Sequence, residues 1–531
     1  MHGQRPTISS LNGVVAAAHP HAAAAGALML QTGGNAFDAA VAVAAALNVV
    51  EPYMSSLAGA GLATCWVAKE RRVRTLNFTP PIHENFPVER YRRREDLQRG
   101  AEAAGVPGNL AGWAELIATY GKLGFKEALA PSIRLARGGV PVTEFNVEEI
   151  NLTSPEIMAL DGLGAAWSKN YTNGQGRIAP GFVLRQADLA NTLEAIAKEG
   201  AGHLYGGALG KAIVAHVQAG GSTMSMRDIE RVKPVWADAA TASYRGATVH
   251  VPPPPCEGFQ ILVALRLLDG VDIKSLPRLG LEHLDVLWRA IRLAAGERIR
   301  HNDPSPNKLH ELLSDAHVAA LSKRLGDGKV VDGPTEQWTT PTDGGEHHTT
   351  SFSIADGDGN LVCITQSIGS PFGAAVIVPG TGVTLNNFLY WADVQPGSPN
   401  RAKPGAQLPI CMSPSITTRD GKPVLALGTP GSYGILQTQV QAMVQYLDYG
   451  LPLQMAIEAP RARLLDGRRV VIEPRLDETI VSELVGRGHA VERAAAWTMM
   501  VGGMQAVAVD PATGIKSGAA DPRRDGYVIA V

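Results

Sequence analysis

The stretch TTSFSIADGDGNLVCITQS, residues 349–367, decides the fold. After two threonines, residues 351–354 alternate hydroxyl-bearing and apolar side chains, residues 356–360 form a Gly- and Asp-rich link, and residues 361–367 are again mostly apolar. Two such runs around a short Gly/Asp turn are typical of a β-hairpin. The sequence therefore predicts two strands, with Thr349 at the start of the first and Ser367 closing the second.

Thr349 carries the candidate chemistry. A threonine hydroxyl can act as a nucleophile when the residue's own free α-amine is the base, because that amine has a reference pKa of about 7.7–8.0. Such a threonine must be N-terminal, so the chain would have to be cut between His348 and Thr349. The alternative is that Thr349 and Thr350 are ordinary β-branched strand residues, and a Thr-Thr pair alone favours this alternative.

The segment before the hairpin, residues 328–348, is rich in Gly, Pro, Thr and Asp and has little periodicity. This composition predicts an exposed loop, which is either an interdomain linker or a segment that must be accessible because it is cut. His347 and His348 are neighbours and would face opposite sides of an extended strand, so no metal site is predicted there.

Composition indicates a compact enzyme with a small or neutral partner. The chain has 531 residues, with 48 Lys plus Arg against 50 Asp plus Glu and a net charge of -2. This length predicts two or three domains, or one large intertwined unit. The near-neutral charge gives no electrostatic basis for binding nucleic acid or an anionic membrane surface.

Several kinds of site and segment have no sequence signal. The cysteines Cys65, Cys256, Cys363 and Cys411 form no CxxC pair, so neither a zinc site nor a disulfide framework is predicted. There is no signal-peptide pattern and no run of about 18 apolar residues, and we expect a cytoplasmic protein. The GxxxxGK[ST], HExxH and GxSxG motifs are missing, and no metal or cofactor is predicted.

Hydrophobic periodicity and breaker residues predict the other elements. The predicted helices are Gly26–Gln31, Ala36–Val50, Asn109–Tyr120, Phe125–Arg137, Gln186–Lys198, Leu281–Arg300 and Ile435–Asp448. Further short strands are predicted at Gly382–Phe388, Pro414–Thr418 and Val424–Leu427.

Seven segments taken together resemble, in order, blocks of the gamma-glutamyltranspeptidase family of N-terminal-nucleophile hydrolases. They are GGNAFDAAVAVAAAL (33–47), GVPGNLAGW (105–113), APSIRLARGG (130–139), TTSFSIADGDGN (349–360), MSPSI (412–416), LGTPGSYG (427–434) and LDYGLPLQMAIEAPRAR (447–463). The resemblance spans almost the whole chain. It implies an α+β fold, a four-layer αββα sandwich, made of two intertwined fragments: a large helix-rich one, residues 1–348, and a small one, residues 349–531.

The resemblance also implies roles for individual residues. Thr349 would attack the His348 carbonyl, form an ester by an N-to-O shift, and become a free N-terminus when water releases the ester. Ser367 takes the position at which the family has a second threonine that hydrogen-bonds the nucleophile. If the resemblance is set aside, Ser367 is simply a polar residue at the end of a strand. The backbone N–H groups of Gly431 and Ser432 would bind the oxyanion. The imidazole of His348 is given no role.

The chain differs from the family at the positions where family members bind the zwitterionic gamma-glutamyl group of their substrate. Thr79 stands at the position of the carboxylate-binding arginine, and Trp391, beside Tyr390, at that of the ammonium-binding aspartate. Ile410 and Cys411 replace a Ser-Ser pair. We expect these residues to contact the substrate, and a zwitterion among them would be left without ionic partners, at a cost of several kcal/mol or more.

Two alternatives to this interpretation stay open. Asp393 lies two positions from Trp391 and could be the true counterpart of the family aspartate. The segment Gln395–Leu408 is shorter than the family's lid-bearing loop and suggests an open site, in which Arg401 and Lys403 are candidate partners for a substrate carboxylate or simply solvated charges.

The sequence therefore predicts a self-cleaving amidohydrolase that works through a threonine acyl-enzyme on a small-molecule amide, either an acylase or an amidase of small monoamides such as oxamate. The alternatives are a true gamma-glutamyltransferase or glutathione hydrolase and, in another class, an uncleaved binding relative without activity. The expected partner is its own second fragment, in a heterodimer that could itself dimerise.

Overall fold

The structure is a computed structural model and describes residues 5–330, 348–465 and 467–531. Its strands, β1 to β21 in chain order, are Ile8–Ser10, Val14–Ala17, Ala60–Val67, Arg72–Asn77, Val140–Pro141, Val183–Leu184, Val235–Ala237, Ala240–Tyr244, Ala247–Val251, Thr350–Ala355, Leu361–Ser367, Ile377–Val378, Val383–Thr384, Ser415–Arg419, Lys422–Gly428, Ala462–Leu464, Arg469–Ile472, Ala490–Arg493, Gln505–Val509, Lys516–Ala520 and Tyr527–Ala530.

The helices α1 to α16 are Pro20–Gln31, Ala36–Val50, Asn109–Tyr120, Phe125–Gly138, Glu144–Met158, Leu163–Thr172, Ala187–Glu199, Ala208–Ala219, Met226–Glu230, Phe259–Asp269, Leu281–Arg300, Pro306–Leu312, Asp315–Gly326, Ile435–Met443, Leu453–Glu458 and Glu478–Gly486. None of the helices in the described part of the chain combines the length and the apolar character needed to cross a membrane.

Two seven-stranded antiparallel sheets form the centre of the fold. The first, which we call the hairpin sheet, has the order β21-β2-β10-β11-β3-β4-β7, and the second, the opposing sheet, has the order β1-β20-β19-β15-β14-β9-β8. Two strands from the N-terminal part of the chain flank the hairpin β10–β11, because β2 pairs with β10 and β3 with β11. The hairpin is therefore central in its sheet.

The two sheets pack face to face and each carries helices on its outer face. Val14, Cys363, Ala426 and Val507 belong to the apolar cluster between the sheets. Helices α1, α2 and α4 share a second cluster with the outer face of the hairpin sheet, and α10, α11 and α14 share a third with the opposing sheet. These are the four layers of the predicted αββα sandwich, which is confirmed.

Local signals located several elements correctly. The predicted helices Ala36–Val50, Asn109–Tyr120 and Leu281–Arg300 are confirmed at both ends, and the strand Leu361–Ser367 is also confirmed. The first helix begins six residues earlier than predicted, at Pro20, because the His19 imidazole accepts from the His21 N–H and caps it.

Two predicted elements differ from the structure. The strand predicted at Gly382–Phe388 is wrong: only Val383–Thr384 is a strand, and Phe388–Trp391 forms a 3-10 turn. The reason is that Asn386 Oδ1 accepts from the Phe388 N–H at 3.0 Å, a local bond that turns the chain out of the ladder. The helix predicted at Ile435–Asp448 is α-helical to Met443 and continues as a π-helix to Asp448.

Most of the predicted exposed loop before the hairpin, residues 331–347, lies outside the described residues, and so does His347.

Candidate active site

The register of the hairpin brings Thr349 and Ser367 to the same end of the sheet. Thr350 pairs with Gln366, so Thr349 and Ser367 follow at the open end, and both are buried. The Thr349 hydroxyl donates to the carbonyl oxygen of His348. The Ser367 hydroxyl donates to the same oxygen at 3.4 Å and accepts from the Gly369 N–H at 3.0 Å. Two hydroxyl groups thus converge on one peptide carbonyl.

A buried ion pair holds the chain on the carboxyl side of that peptide. Arg524 donates to the Thr349 carbonyl at 3.3 Å and to Glu51 at 2.5 Å, and both charged side chains are fully buried. Glu51 also accepts from the Thr350 hydroxyl at 3.0 Å. The first two residues of the hairpin are therefore held by groups from opposite ends of the chain.

Sequence reasoning missed Glu51 and Arg524. Glu51 directly follows the mostly apolar helix α2, and Arg524 lies in the charged stretch DPRRDG just before the last strand. The charge of Glu51 at the end of a buried helix was the available signal, because a buried charge needs a partner.

The side chain of His348 has a buried partner on the other side of the peptide. His348 Nδ1 lies 3.4 Å from Glu149 Oε2, and both residues are less than 9% exposed. Burial raises the pKa of the Glu149 carboxyl to about 7, the neighbouring Glu148 and Glu51 carboxylates act in the same direction, and Arg524 opposes them. The imidazole that the sequence left without a role is thus part of a buried pair.

The opposing sheet supplies the turn predicted to bind the oxyanion. Strand β15 ends at Gly428, where a Cβ atom would come within 2.0 Å of the Ser351 hydroxyl, so the strand end lies directly against the hairpin. The turn follows at once, with Gly431 at φ 123° and Ser432 at φ 53°. Gly431 adopts a conformation that side chains disfavour. Packing of the two sheets therefore brings this turn to the end of the sandwich where Thr349 lies.

The indole of Trp391 lies beside the two hydroxyl groups. Its side chain is buried, and its Nε1 has no hydrogen-bond partner among the residues that the structure describes. A Cβ atom at Gly369 would lie 3.2 Å from this nitrogen, which places the indole against the residue whose N–H donates to the Ser367 hydroxyl. The ring of Tyr433, in the oxyanion turn, lies 6.2 Å from the indole and carries the Arg298 guanidinium at 3.9 Å.

The other residues predicted to contact the substrate, Thr79, Ile410 and Cys411, are also buried. Thr79 follows strand β4, its hydroxyl has no hydrogen-bond partner within the described ranges, and its carbonyl accepts from Gln407 at 2.8 Å. Ile410 donates its N–H to the Pro255 carbonyl at 3.0 Å. Cys411 is a free thiol whose pKa burial raises far above its usual range.

Asp393 and Arg401, the charged residues considered as ionic partners of a substrate, both have partners within the protein. Asp393 Oδ1 accepts from the backbone N–H of Gln395 at 3.0 Å, and so caps its own loop. Arg401 lies 2.5 Å from Glu89 and also donates to the Val394 carbonyl. Tyr390 packs under the Arg94 guanidinium at 5.2 Å. Within the described residues, no group of three or more His, Cys, Asp or Glu side chains is placed to hold a metal ion.

Replacing Ser367 with alanine tests its place at this carbonyl. We expect both self-cleavage and turnover to slow between about twofold and tenfold, because one hydrogen bond of about 0.5–1.5 kcal/mol is lost. Ser367→Thr, which keeps the hydroxyl, is the matched control and should retain both rates. Unchanged rates in Ser367→Ala would show that the hydroxyl only closes the strand.

Comparisons with known proteins find relatives along almost the whole chain. The sequence profile of the family described as Gamma-glutamyltranspeptidase matches residues 22–531. The chain is 35% identical to the acylase ACY 1 proenzyme of Pseudomonas sp. strain SE83, over 99% of this chain and 95% of the relative. It is 30% identical to the glutathione hydrolase proenzyme of Bacillus subtilis strain 168, over 98% of this chain and 92% of the relative.

The solved structures include one with nearly the same fold. The crystal structure of cephalosporin acylase from Bacillus halodurans superposes with a TM-score of 0.92 at 29% identity, covering 100% of this chain and 98% of that chain.

Proposed function

The chain belongs to the gamma-glutamyltranspeptidase family, and we propose that this hydrolase cuts itself between His348 and Thr349 and then uses Thr349 to hydrolyse a small acyl amide. The observation that carries the proposal is the convergence of the Thr349 and Ser367 hydroxyls on the His348 carbonyl. Its relatives include an acylase proenzyme and a glutathione hydrolase proenzyme.

The self-cleavage follows from this geometry. The Thr349 oxygen adds to the His348 carbonyl carbon, and Ser367 donates a hydrogen bond to the oxyanion that forms. The C–N bond then breaks, the nitrogen of Thr349 takes up a proton, and an ester joins the His348 carbonyl to the Thr349 oxygen. Water hydrolyses the ester, which leaves a carboxylate on His348 and a free hydroxyl and α-amine on Thr349.

The freed amine then becomes the base of the second reaction. It takes the hydroxyl proton as Thr349 attacks a substrate amide, and it returns a proton to the leaving amine. In this proposal the N–H groups of Gly431 and Ser432 bind the oxyanion, and water releases the acyl group. The same nucleophile thus serves maturation and turnover.

The two fragments, 1–348 and 349–531, would remain one folded unit after the cut. Strand β10 of the small fragment pairs with β2 of the large one, and β11 pairs with β3. Since both interfaces are ladders inside one sheet, cleavage removes a single covalent bond and leaves the hydrogen bonding intact. We therefore expect a heterodimer of the two fragments.

The residues around the site favour an acyl group without an α-ammonium. Trp391, Thr79, Ile410 and Cys411 offer no carboxylate, and Asp393 is occupied in its own loop. An ammonium against the indole would recover only about 0.5–2 kcal/mol as a cation–π contact, less than burying the charge costs. The unpartnered Nε1 of Trp391 is instead suited to an oxygen acceptor on the acyl chain.

A pair of anilides tests this acyl preference. Glutaryl and gamma-glutamyl p-nitroanilide differ only in the α-ammonium group, and we expect kcat/KM to favour the glutaryl compound by about tenfold or more, which corresponds to at least 1.4 kcal/mol. Oxamate should be included as the smallest amide, and Thr349→Ala protein gives the blank rate.

A preference for the gamma-glutamyl compound that is lost in Asp393→Asn would contradict the acylase proposal and favour the glutathione hydrolase alternative. A chain that stays uncut and hydrolyses none of the three amides would favour an inactive binding relative.

A further inference from the structure

One face of helix α5 is turned toward the bond proposed to be cut. Thr143, Asn146 and Glu149 lie three residues apart and so share this face. The Thr143 hydroxyl, which caps the helix, donates to Asp525 at 2.6 Å. Asn146 donates to the carbonyl of the last residue of α2 at 3.2 Å. Glu149, one turn further, reaches His348. The helix is thus anchored to Asp525 and Val50, the chain neighbours of the paired residues Arg524 and Glu51.

Glu149 is an unusual residue for a buried helix face. It is 8% exposed, and its Oε2 makes no hydrogen bond to any residue of the described chain, although the His348 imidazole lies 3.4 Å away. Leaving a carboxyl oxygen buried without a good hydrogen bond destabilises the folded protein. A group that destabilises the fold at this position is expected to have another role.

The peptide between His348 and Thr349 is held on both sides. On the carboxyl side, Arg524 donates to the Thr349 carbonyl at 3.3 Å. On the amino side, Glu149 contacts the side chain of His348. Attack by a neighbouring hydroxyl depends on keeping the reacting atoms in place, and a displacement of about 1 Å can cost about 10²-fold in rate.

We propose that Glu149 is a positioning residue for self-cleavage, which holds the imidazole of His348 and thereby fixes the carbonyl that Thr349 attacks. The inference rests on the proposed self-cleavage and adds a specific requirement to it: the side chain before the nucleophile takes part through Glu149. Glu149 itself touches neither reacting atom.

The test is a double-mutant cycle on the rate of cleavage. Full-length chains are pulse-labelled in a cell-free translation reaction, and the first-order conversion to the two fragments is followed on denaturing gels. We expect Glu149→Ala and His348→Ala each to slow cleavage by about tenfold or more. The double variant should be no more than about twofold slower than the slower single variant, because both changes break the same contact.

Two controls separate positioning from folding. Glu148→Ala removes the neighbouring carboxylate, which is exposed on the same helix, and should cleave at the wild-type rate. Glu149→Gln keeps the shape and one acceptor oxygen and should recover part of the rate lost in Glu149→Ala. The melting temperatures of all variants are compared in the uncleavable Thr349→Ala protein, where we expect shifts within about 2 °C.

The proposal is overturned if Glu149→Ala and His348→Ala cleave at the wild-type rate, if their effects multiply in the double variant, or if the slowing follows a fall in melting temperature. These outcomes are distinct from failure of the proposed function, in which the wild-type chain itself would not be cut before Thr349.

Discussion

Replacing Thr349 with alanine will leave the protein as one chain of 531 residues without amide hydrolysis. The substitution removes the hydroxyl that contacts the His348 carbonyl, and in our proposal this oxygen forms both the maturation ester and the acyl-enzyme. Loss of a nucleophile typically lowers turnover on the order of 10⁴-fold to 10⁶-fold. Denaturing gels, N-terminal sequencing of the smaller fragment and the anilide assay measure the effect.

Thr349→Ser is the matched control, since it keeps a hydroxyl at the same position. It should still be cut, with serine at the new N-terminus, and retain measurable turnover. The proposal fails if Thr349→Ala is cut at the same bond, or if the wild-type chain hydrolyses amides while remaining uncut after prolonged incubation.

Replacing Arg524 with methionine will strongly destabilise the protein. Both side chains of the Arg524–Glu51 pair are fully buried, so the substitution leaves the Glu51 carboxylate without its counter-charge. Breaking a buried pair in this way costs about 3–5 kcal/mol. Urea unfolding in the Thr349→Ala background, where every chain remains uncut, measures the free energy of unfolding.

Two further variants show whether the lost charge is the cause. Arg524→Met combined with Glu51→Gln removes both charges and should recover a large part of the loss, because no uncompensated charge remains. Arg72→Met breaks the half-exposed pair with Glu70 and should destabilise the protein far less than Arg524→Met, because solvent screens an exposed pair. A loss below 1 kcal/mol in Arg524→Met would mean that the ion pair does not stabilise the start of the hairpin.

The same pair also bears on cleavage. Because Arg524 donates to the Thr349 carbonyl, Arg524→Met is expected to slow self-cleavage as well, whereas Arg72→Met is not. The variant that combines Arg524→Met with Glu51→Gln recovers stability but still lacks the contact with the Thr349 carbonyl, so slow cleavage in it would identify the contact, and not the general loss of stability, as the cause.

Much of the local structure could be predicted from the sequence, and caps and turns explain why. Helix α2 begins where the Asn35 side chain and Asp38 close a capping box, so its first residue follows from four neighbouring residues. The hairpin follows from side-chain alternation and a Gly/Asp turn in 19 consecutive residues. Where side chains bond locally in an irregular way, as Asn386 does, the same reasoning predicted a longer strand than the Val383–Thr384 strand that forms.

The sequence by itself therefore determined the elements formed by neighbouring residues and, through the resemblance of seven ordered segments, the family and the candidate nucleophile. Only the tertiary structure decided which distant groups surround Thr349. Arg524 and Glu51 are 473 residues apart, and Glu149 meets His348 from a helix far along the chain. Such contacts depend on the order of strands in the two sheets and on sheet packing. The spacing of residues along the chain does not reveal these contacts, because a buried charge is paired with the opposite charge that lies near it in the folded structure.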